Sequence, residues 1–260
     1  MSYHKPNQQE NVSFGGTVTQ SDQYNSTNLV VIICDMLYLS LHQILYERNI
    51  YPAQIFSPHK IYNISVRTCI HDQLKQYTQQ LINQIRLNLL KVNQLIKIVF
   101  VIYCDVKTHS DNNDGSVAPL PSHQRIVLER YVYDIKYDSP SKNESMQLNT
   151  AQYNQLTIQL AHLYLTYKNL TGMLNTVEQN PRAGKCTPQF KCLVYTNQQH
   201  TMNPNNTADI STIWSSLTQH ERNVYDDGTS DEFTTSIHPL KAIRLNYLYL
   251  DVYIERYHYK

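Results

Sequence analysis

The chain has 260 residues and a mass of 30.4 kDa, enough for one large domain or two small ones, and we favour one large domain. Hydrophobic residues make up 41% of the chain and charged residues only 17%, so a sizeable core is combined with a weakly charged surface. The formal net charge of +1 gives no field that would hold a polyanion. This composition argues against direct, strong DNA binding as the main activity.

The first 27 residues are rich in Asn, Gln, Ser and Gly and hold no apolar run typical of a signal peptide. We therefore expect a disordered tail over 1–27 and a single domain over 28–260, in a protein of the nucleus or the cytoplasm. The apolar run 29–45 is shorter than the ~20 residues of a membrane span and is interrupted by Asp35 and His42. A buried helix explains this run better, so we expect no membrane association.

The first half of the chain alternates helix and strand patterns. Apolar residues recur every three or four positions over 30–48 and again over 74–92, which predicts two amphipathic helices. Because Pro52 has no N–H and pushes its predecessor out of the helical region, the first helix must end by about Asn49. The run 96–103, IKIVFVIY, is apolar and β-branched, which predicts a strand covered on both faces.

The second half supplies the rest of a sheet and a third helix. The run 126–137 predicts a strand that forms a hairpin with 96–103 across a long polar loop. A regular apolar spacing over 156–174 predicts the third long helix, and 191–196 and 245–257 predict two further strands. A mostly antiparallel sheet covered by three long helices is an α+β layer architecture.

The segment between the last two predicted strands has no strong pattern, only scattered apolar positions. A connection of more than ~15 residues without secondary structure is usually functional or disordered. The single tryptophan of the chain, Trp214, lies within it and indicates that the segment docks onto the domain.

Motifs of catalysis or metal binding were sought and none stands out. The chain has no P-loop, GxGxxG, GxSxG or HExxH pattern, and we expect neither a cofactor nor a metal. Its five cysteines include no CxxC pair, so we expect reduced, mostly buried thiols. One enzyme hypothesis stays open, a small α/β enzyme that uses Asp105 and His71, and it requires that these two residues meet in one pocket.

Several stretches carry a resemblance to a known family. The run ILYERNIYPAQIF at 44–56, followed by YNISV at 62–66 and HDQLKQY at 71–77, resembles the HORMA-domain family. Within it, the chain is most similar to the small non-catalytic HORMA subunit of DNA polymerase zeta. HPLK at 238–241 and VYIER at 252–256 resemble the C-terminal safety belt of the family, which would here span about 197–260.

The resemblance implies a non-catalytic adaptor of translesion DNA synthesis. Its belt would close over a Pro-containing peptide of the catalytic subunit of DNA polymerase zeta, and the captured peptide would add a strand to the sheet. A surface of the domain would bind the C-terminal domain of a Y-family scaffold polymerase, and a HORMA–HORMA dimer is a further possible contact. These partners imply a nuclear protein.

The same resemblance implies four peptide-binding residues: Tyr77, Trp214, Ile237 and Tyr253. Tyr77 equally fits a purely structural role between a helix and the sheet. Where the family has a Gln two residues before the last of these aromatics, this chain has Asp251, which leaves the peptide preference open. The alternative function is that of a spindle-checkpoint or meiotic-axis HORMA protein, with the same capture mechanism and other closure-motif peptides.

Overall fold

The computed structural model describes residues 28–61, 64–90, 95–108, 122–137, 148–169, 187–196, 233–245 and 248–259. These residues form three long helices: α1 (Leu29–Glu47), α2 (Asp72–Leu90) and α3 (Thr150–Asn169). They also form seven strands: β1 (Phe56–Ile61), β2 (Ile64–Cys69), β3 (Leu95–Thr108), β4 (Ser122–Tyr137), β5 (Gln189–Thr196), β6 (Phe233–Leu245) and β7 (Leu248–Tyr259). The predicted α+β class with three long helices is confirmed. The predicted tail 1–27 and Trp214 lie outside the described residues.

Helix α1 is the central helix of the core and is buried along most of its length. Its N-terminus is capped by Asn28, whose side-chain oxygen accepts a hydrogen bond from the backbone N–H of Val30 at 2.9 Å. The helix ends at Glu47, and Asn49 then adopts a left-handed φ of 50°, which Asn tolerates better than most residues. The predicted end before Pro52 is confirmed. By length and composition α1 could cross a membrane, but 83% of its apolar window is buried inside the protein, as in a core helix.

Five strands form one sheet in the order β5-β3-β4-β7-β6. Every neighbouring pair in it is antiparallel. The predicted hairpin is confirmed, because β3 pairs with β4 along nearly its whole length. Strand β6 was not predicted; together with β7 it forms the C-terminal hairpin, which adds to the outer side of β4. Among the described strands, the two edges of the sheet are therefore β5 and β6.

The two faces of the sheet have different surroundings. All three helices pack on one face, where Phe100, Tyr131 and Tyr133 are buried with them in the main core. The opposite face carries a second buried cluster that contains Val99 and Val132 and no residue of the described helices. Because successive side chains of a strand point to opposite faces, the continuous apolar run of β3 contributes to both clusters, as predicted.

A separate two-stranded sheet follows α1. The chain passes Pro52, makes a short 3-10 helix over Ala53–Ile55 and pairs β1 with β2, two strands that were not predicted. Helix α1 holds β2 through side chains: the Gln43 side-chain oxygen accepts from the backbone N–H of Arg67 at 2.8 Å. His42 Nδ1 accepts from the backbone N–H of Cys69 at 3.2 Å.

A buried ion network joins α1, β4 and the C-terminal hairpin. The guanidinium Nε of Arg48 donates to Glu129 Oε2 at 2.7 Å and to Tyr131 Oη at 2.7 Å. The Tyr131 hydroxyl donates to the same carboxylate oxygen at 2.9 Å. From β7, Arg256 Nε lies 3.6 Å from the other oxygen of Glu129, whose side chain is only 2% exposed. One carboxylate thus fixes the end of α1 and the hairpin against the same strand.

Three of the described cysteines are reduced and buried, as predicted. Cys34, Cys69 and Cys192 are free and buried. Burial raises the pKa of the Cys34 thiol to about 12, and it also raises the pKa of the Cys69 and Cys192 thiols. These thiols are therefore protonated and unreactive at neutral pH. Cys104 on β3 is disulfide-bonded, so the expectation of a reduced thiol is wrong there.

Candidate functional site at the β5 edge

Strand β5 is an edge of the five-stranded sheet, and β3 is its neighbour among the described strands. The outer side of an edge strand presents a row of backbone N–H and C=O groups that can pair with another extended segment. Strand addition of this kind is a common mode of peptide recognition, in which backbone hydrogen bonds supply affinity and side-chain pockets supply specificity. The side chains around β5 therefore decide what could bind there.

An aromatic cluster lies at the β5 edge on the helix side of the sheet. The Phe190 ring of β5 meets Tyr51 at a centroid distance of 6.4 Å and Tyr77 at 6.0 Å, both edge-to-face. Tyr51 comes from the segment after α1 and Tyr77 from α2, so three elements converge. Tyr77 is 42% exposed, which leaves part of this apolar surface open to a ligand.

The aromatic cluster is uncharged. Desolvation by burial is the main cause that raises the pKa of the Tyr51 hydroxyl and of the Tyr77 hydroxyl above the ordinary tyrosine value. Both tyrosines are therefore neutral at physiological pH. Their rings offer apolar faces with one hydroxyl each, which suits contacts with apolar or proline side chains.

The other side of β5 carries polar and charged side chains beside the second cluster. There the Tyr103 hydroxyl of β3 donates to the Gln189 side-chain oxygen at 3.0 Å. Further along, the Lys97 ammonium of β3 lies 5.8 Å from the centre of the Tyr195 ring. Lys191 stands between these two pairs, on the same face as its partner Val101. The edge strand thus has one aromatic side and one side with polar groups and two lysines, of which Lys97 lies opposite Asp134 of β4.

The opposite edge, β6, is built differently. Pro239 lies within the strand, and a register shift follows it before Lys241. Because proline has no backbone donor, its presence is typical of edge strands that are protected from further pairing. Ile237 on the same strand is 64% exposed. From β5 to β6 there are four strand spacings, or roughly 19 Å.

The structure does not bring the described members of the predicted site together. Tyr77 lies at the β5 edge, whereas Ile237 lies at the β6 edge. Tyr253 on β7 packs against the second cluster, on the face away from the helices, and pairs with Val132. Trp214 lies outside the described residues. The peptide-binding roles of these four residues stay predictions.

Two residues of the aromatic cluster were missed by the sequence analysis. The sequence patterns singled out neither Tyr51 nor Phe190 as a site residue. A signal existed for the first, because a large aromatic at the exit of a buried helix usually packs against the core. No local pattern indicates that Phe190 would meet it, since the two residues are far apart in the sequence.

The two residues of the enzyme hypothesis lie on opposite sides of the sheet. Asp105 on β3 accepts from the Arg125 guanidinium at 2.8 Å, on the face away from the helices. His71 directly precedes α2, which packs on the other face. Across the described ranges there is also no group of three or more His, Cys, Asp or Glu side chains that could hold a metal ion.

Comparisons with known proteins agree with this architecture. The HORMA domain family model matches residues 30–208. The mitotic spindle assembly checkpoint protein MAD2B of Danio rerio is 36% identical over 86 residues, and the Homo sapiens protein of the same name is 35% identical over 86 residues. In both cases the match covers 33% of this chain and spans only 40% of the length of the relative.

Solved structures show the same fold at low sequence identity. A chain of the crystal structure of the mitotic checkpoint complex has a TM-score of 0.60 and 14% identity, covering 87% of this chain and 97% of that chain. Caenorhabditis elegans HTP-1 bound to HTP-3 motif-1 has a TM-score of 0.52 and 13% identity, covering 87% of this chain and 89% of that chain. The family model spans more than half of the sequence, and the chain therefore belongs to the HORMA-domain family.

Proposed function

We propose that this protein is a non-catalytic adaptor that captures an extended peptide of a partner by adding it as a strand to the outer edge of β5. The observation that carries the proposal is the aromatic cluster of Tyr51, Tyr77 and Phe190 beside an edge strand. Backbone pairing would hold the peptide, and the aromatic rings would contact every second side chain. The C-terminal segment 197–260 would act as the safety belt that closes over it.

The partner that we propose is the catalytic subunit of DNA polymerase zeta, through a Pro-containing peptide. The similarity to proteins named MAD2B supports this choice, as does the ILYERNIYPAQIF stretch at 44–56. The adaptor would also bind the C-terminal domain of a Y-family scaffold polymerase and so act in DNA damage tolerance and repair, in the nucleus. A HORMA–HORMA dimer is a further contact that we propose for it.

The second candidate function is capture of a spindle-checkpoint or meiotic-axis peptide. It is favoured by the fold shared with a chain of the mitotic checkpoint complex and with HTP-1 bound to a motif of HTP-3. It would use the same edge of β5 and differ only in the peptide.

The experiment is a binding titration of the full chain against overlapping peptides from the polymerase zeta catalytic subunit, from checkpoint proteins and from meiotic-axis proteins. We expect a Pro-containing polymerase peptide to bind and Phe190→Ala to weaken it at least tenfold, a loss of about 1.4 kcal/mol. The matched control is Ile158→Ser, which changes a 60% exposed apolar side chain on α3 and should leave affinity unchanged. Ile237→Ser tests the β6 edge.

Each outcome separates the candidates. Binding only of checkpoint or meiotic peptides would move the function to the second candidate. Binding that is insensitive to Phe190→Ala but lost in Ile237→Ser would place the peptide at the β6 edge and overturn the proposed site. Failure of every peptide would refute the adaptor function itself.

A further inference from the structure

Two histidines converge on one serine hydroxyl at the open end of the C-terminal hairpin, where β6 begins and β7 ends. The Ser236 Oγ lies 3.1 Å from Nε2 of His238 and 3.0 Å from Nε2 of His258. Ser236 and His238 are two residues apart on β6, whereas His258 lies on β7 opposite Thr234. A single hydroxyl therefore joins the two strands through two imidazole rings.

This end of the hairpin has little other support among the described strands. Strand β4 pairs with β7 only as far as Glu129 opposite Arg256. Beyond that pair, residues 257–259 of β7 pair with residues 233–235 of β6 and with no other described strand. Because a two-stranded ladder is marginally stable by itself, side-chain bonds between the strands matter more here than elsewhere in the sheet.

The shared hydroxyl can bond to both rings only while at least one ring is neutral. A hydroxyl has one proton to donate, and a protonated imidazole is a donor at both nitrogens. With one neutral ring, Ser236 Oγ donates to that ring and accepts from the other. With two protonated rings, both would donate to the same oxygen and two positive charges would face each other across it. A second proton therefore breaks the bridge.

The charged groups around the bridge also oppose a second proton. Burial lowers the pKa of His238 below its ordinary value, and the positive charges of Arg256 and His258 lower it further. Arg256 is the cross-strand partner of Ser236. Glu129 of β4 acts in the opposite direction, but two arginines already engage its carboxylate. Helix α3 also packs on β6, and no described group of that helix contributes to the shift.

We propose that Ser236, His238 and His258 form a pH-sensitive latch that holds the start of β6 to the end of β7 at neutral pH and releases it in acid. The pKa of a histidine is ordinarily about 6.5. Because the paired strands take up the proton less readily than the separated strands, the pairing weakens as the pH falls below this value. The latch lies at the β6 edge and does not depend on the capture proposed for β5.

The first test is amide hydrogen exchange of the full chain at pH 7.5 and pH 5.0, with each rate divided by the intrinsic rate at that pH. Between these pH values, the protection of residues 233–238 should fall about fivefold more than that of residues 243–245 and 248–250 at the other end of the hairpin. His238→Gln and His258→Gln each remove one titrating ring and should keep most of the protection at pH 5.0. The matched control is His162→Gln, at an exposed position of α3, which should behave like the original chain.

A second measurement distinguishes a latch from two independent histidines. Titration of the imidazole C–H resonances by NMR gives the pKa of His238, and this pKa should rise in His258→Gln because a neighbouring positive charge is removed. It should not move in His162→Gln. Ser236→Ala removes the shared hydroxyl and should lower the protection of residues 233–238 at pH 7.5 to its value at pH 5.0.

Three results would overturn the latch. The first is equal protection of residues 233–238 at the two pH values, and the second is an equal loss of protection at both ends of the hairpin. The third is a pKa of His238 that stays the same in His258→Gln, since the two rings would then titrate independently.

Discussion

The two edge strands of the described sheet differ in whether they allow another strand to pair with them. Strand β6 carries Pro239 and a register shift, both of which oppose the addition of another strand. Strand β5 has no proline within it and is flanked on the helix side by an uncharged aromatic cluster. One edge is closed to pairing by its backbone, and the other is lined by side chains that favour it.

The elements next to the two edges, the C-terminal hairpin at β6 and helix α2 at β5, are also fixed by different interactions. Behind β6, the C-terminal hairpin is fixed to β4 by the buried carboxylate of Glu129 and the guanidinium of Arg256. Next to β5, Tyr77 belongs to α2, which His42 of α1 contacts through a hydrogen bond with the Thr78 hydroxyl. The difference indicates that an ion pair, Glu129 with Arg256, holds the β6 side in place. On the β5 side, the corresponding contact is made by a histidine, His42, whose hydrogen bonds depend on its being neutral.

The largest effect is expected from Glu129→Ala, which removes the carboxylate behind the closed edge. The substitution leaves the guanidinium groups of Arg48 and Arg256 buried without their shared carboxylate, at 7% and 8% side-chain exposure. Breaking a buried pair in this way costs about 3–5 kcal/mol of unfolding free energy. Urea unfolding followed by circular dichroism measures the loss.

Lys136→Ala is the control for Glu129→Ala. Its ammonium lies 3.7 Å from Asp134 and is 64% exposed, so its loss should cost less than about 1 kcal/mol. Equal destabilisation by both substitutions would show that the buried network does not fix the hairpin.

The second prediction concerns pH and the support of the open edge. His42 is buried and neutral: Nδ1 accepts from the Cys69 amide, and Nε2 lies 2.9 Å from the Thr78 hydroxyl, which donates to the Leu74 carbonyl. Burial lowers its pKa from 6.5 to about 3. The unfolded chain therefore binds a proton between these values that the folded chain does not, and stability falls as the pH drops below 6.5.

At pH 4.5 this single histidine should lower the unfolding free energy by about 2–3 kcal/mol relative to pH 7.5. Unfolding curves over this range should show a shallower pH slope for His42→Gln, which cannot protonate. His162→Gln, at an exposed position of α3, should keep the slope of the original chain. An unchanged slope in His42→Gln would mean that other groups dominate the acid response.

The third prediction sharpens the aromatic side of the open edge. Tyr77→Ala removes a ring that is 42% exposed and meets Phe190 at 6.0 Å. Loss of such a contact should weaken a captured peptide about tenfold and cost less than about 1.5 kcal/mol of stability. Tyr77→Phe is the control, since it keeps the ring and should keep the affinity. If both substitutions weaken binding equally, the hydroxyl and not the ring is the contact.

The sequence predicted the parts of the fold whose patterns are long and uniform. Helix α1 and strand β3 are buried almost throughout, so each has an unbroken apolar signature. Strand β6 was missed because much of it is exposed and Pro239 argues against a strand. The β1–β2 hairpin was missed for a related reason, since most of its side chains are exposed or only partly buried.

The site was harder to predict than the fold because it is made of contacts between distant segments. Tyr77 was predicted as a site residue through the resemblance, while Tyr51 and Phe190 meet only once β5 is placed beside β3. A carboxylate within the apolar run of β4, Glu129, was a visible signal of a buried partner. The identity of that partner could not be read, since the two arginines come from opposite ends of the chain.

The smallest effect is expected from Pro239→Thr, which tests whether the backbone closes the β6 edge. Threonine restores an N–H donor, and proline at an edge strand is tolerated where that donor would point outward. Stability should change by less than about 1 kcal/mol because β6 keeps its pairing with β7. Sedimentation velocity should show stronger concentration-dependent self-association than the original chain shows.

Ala242→Thr supplies the matched comparison, because it places the same side chain at an exposed position of β6 without adding a donor. Self-association in Pro239→Thr alone would assign the closure to the missing N–H. Association of both variants would instead assign the closure to the side chains of this surface. Association of neither variant would show that the register shift after Pro239 is enough to prevent pairing at the β6 edge. We thus attribute the contrast between the edges to one backbone donor that is missing at β6 and to three aromatic rings at β5.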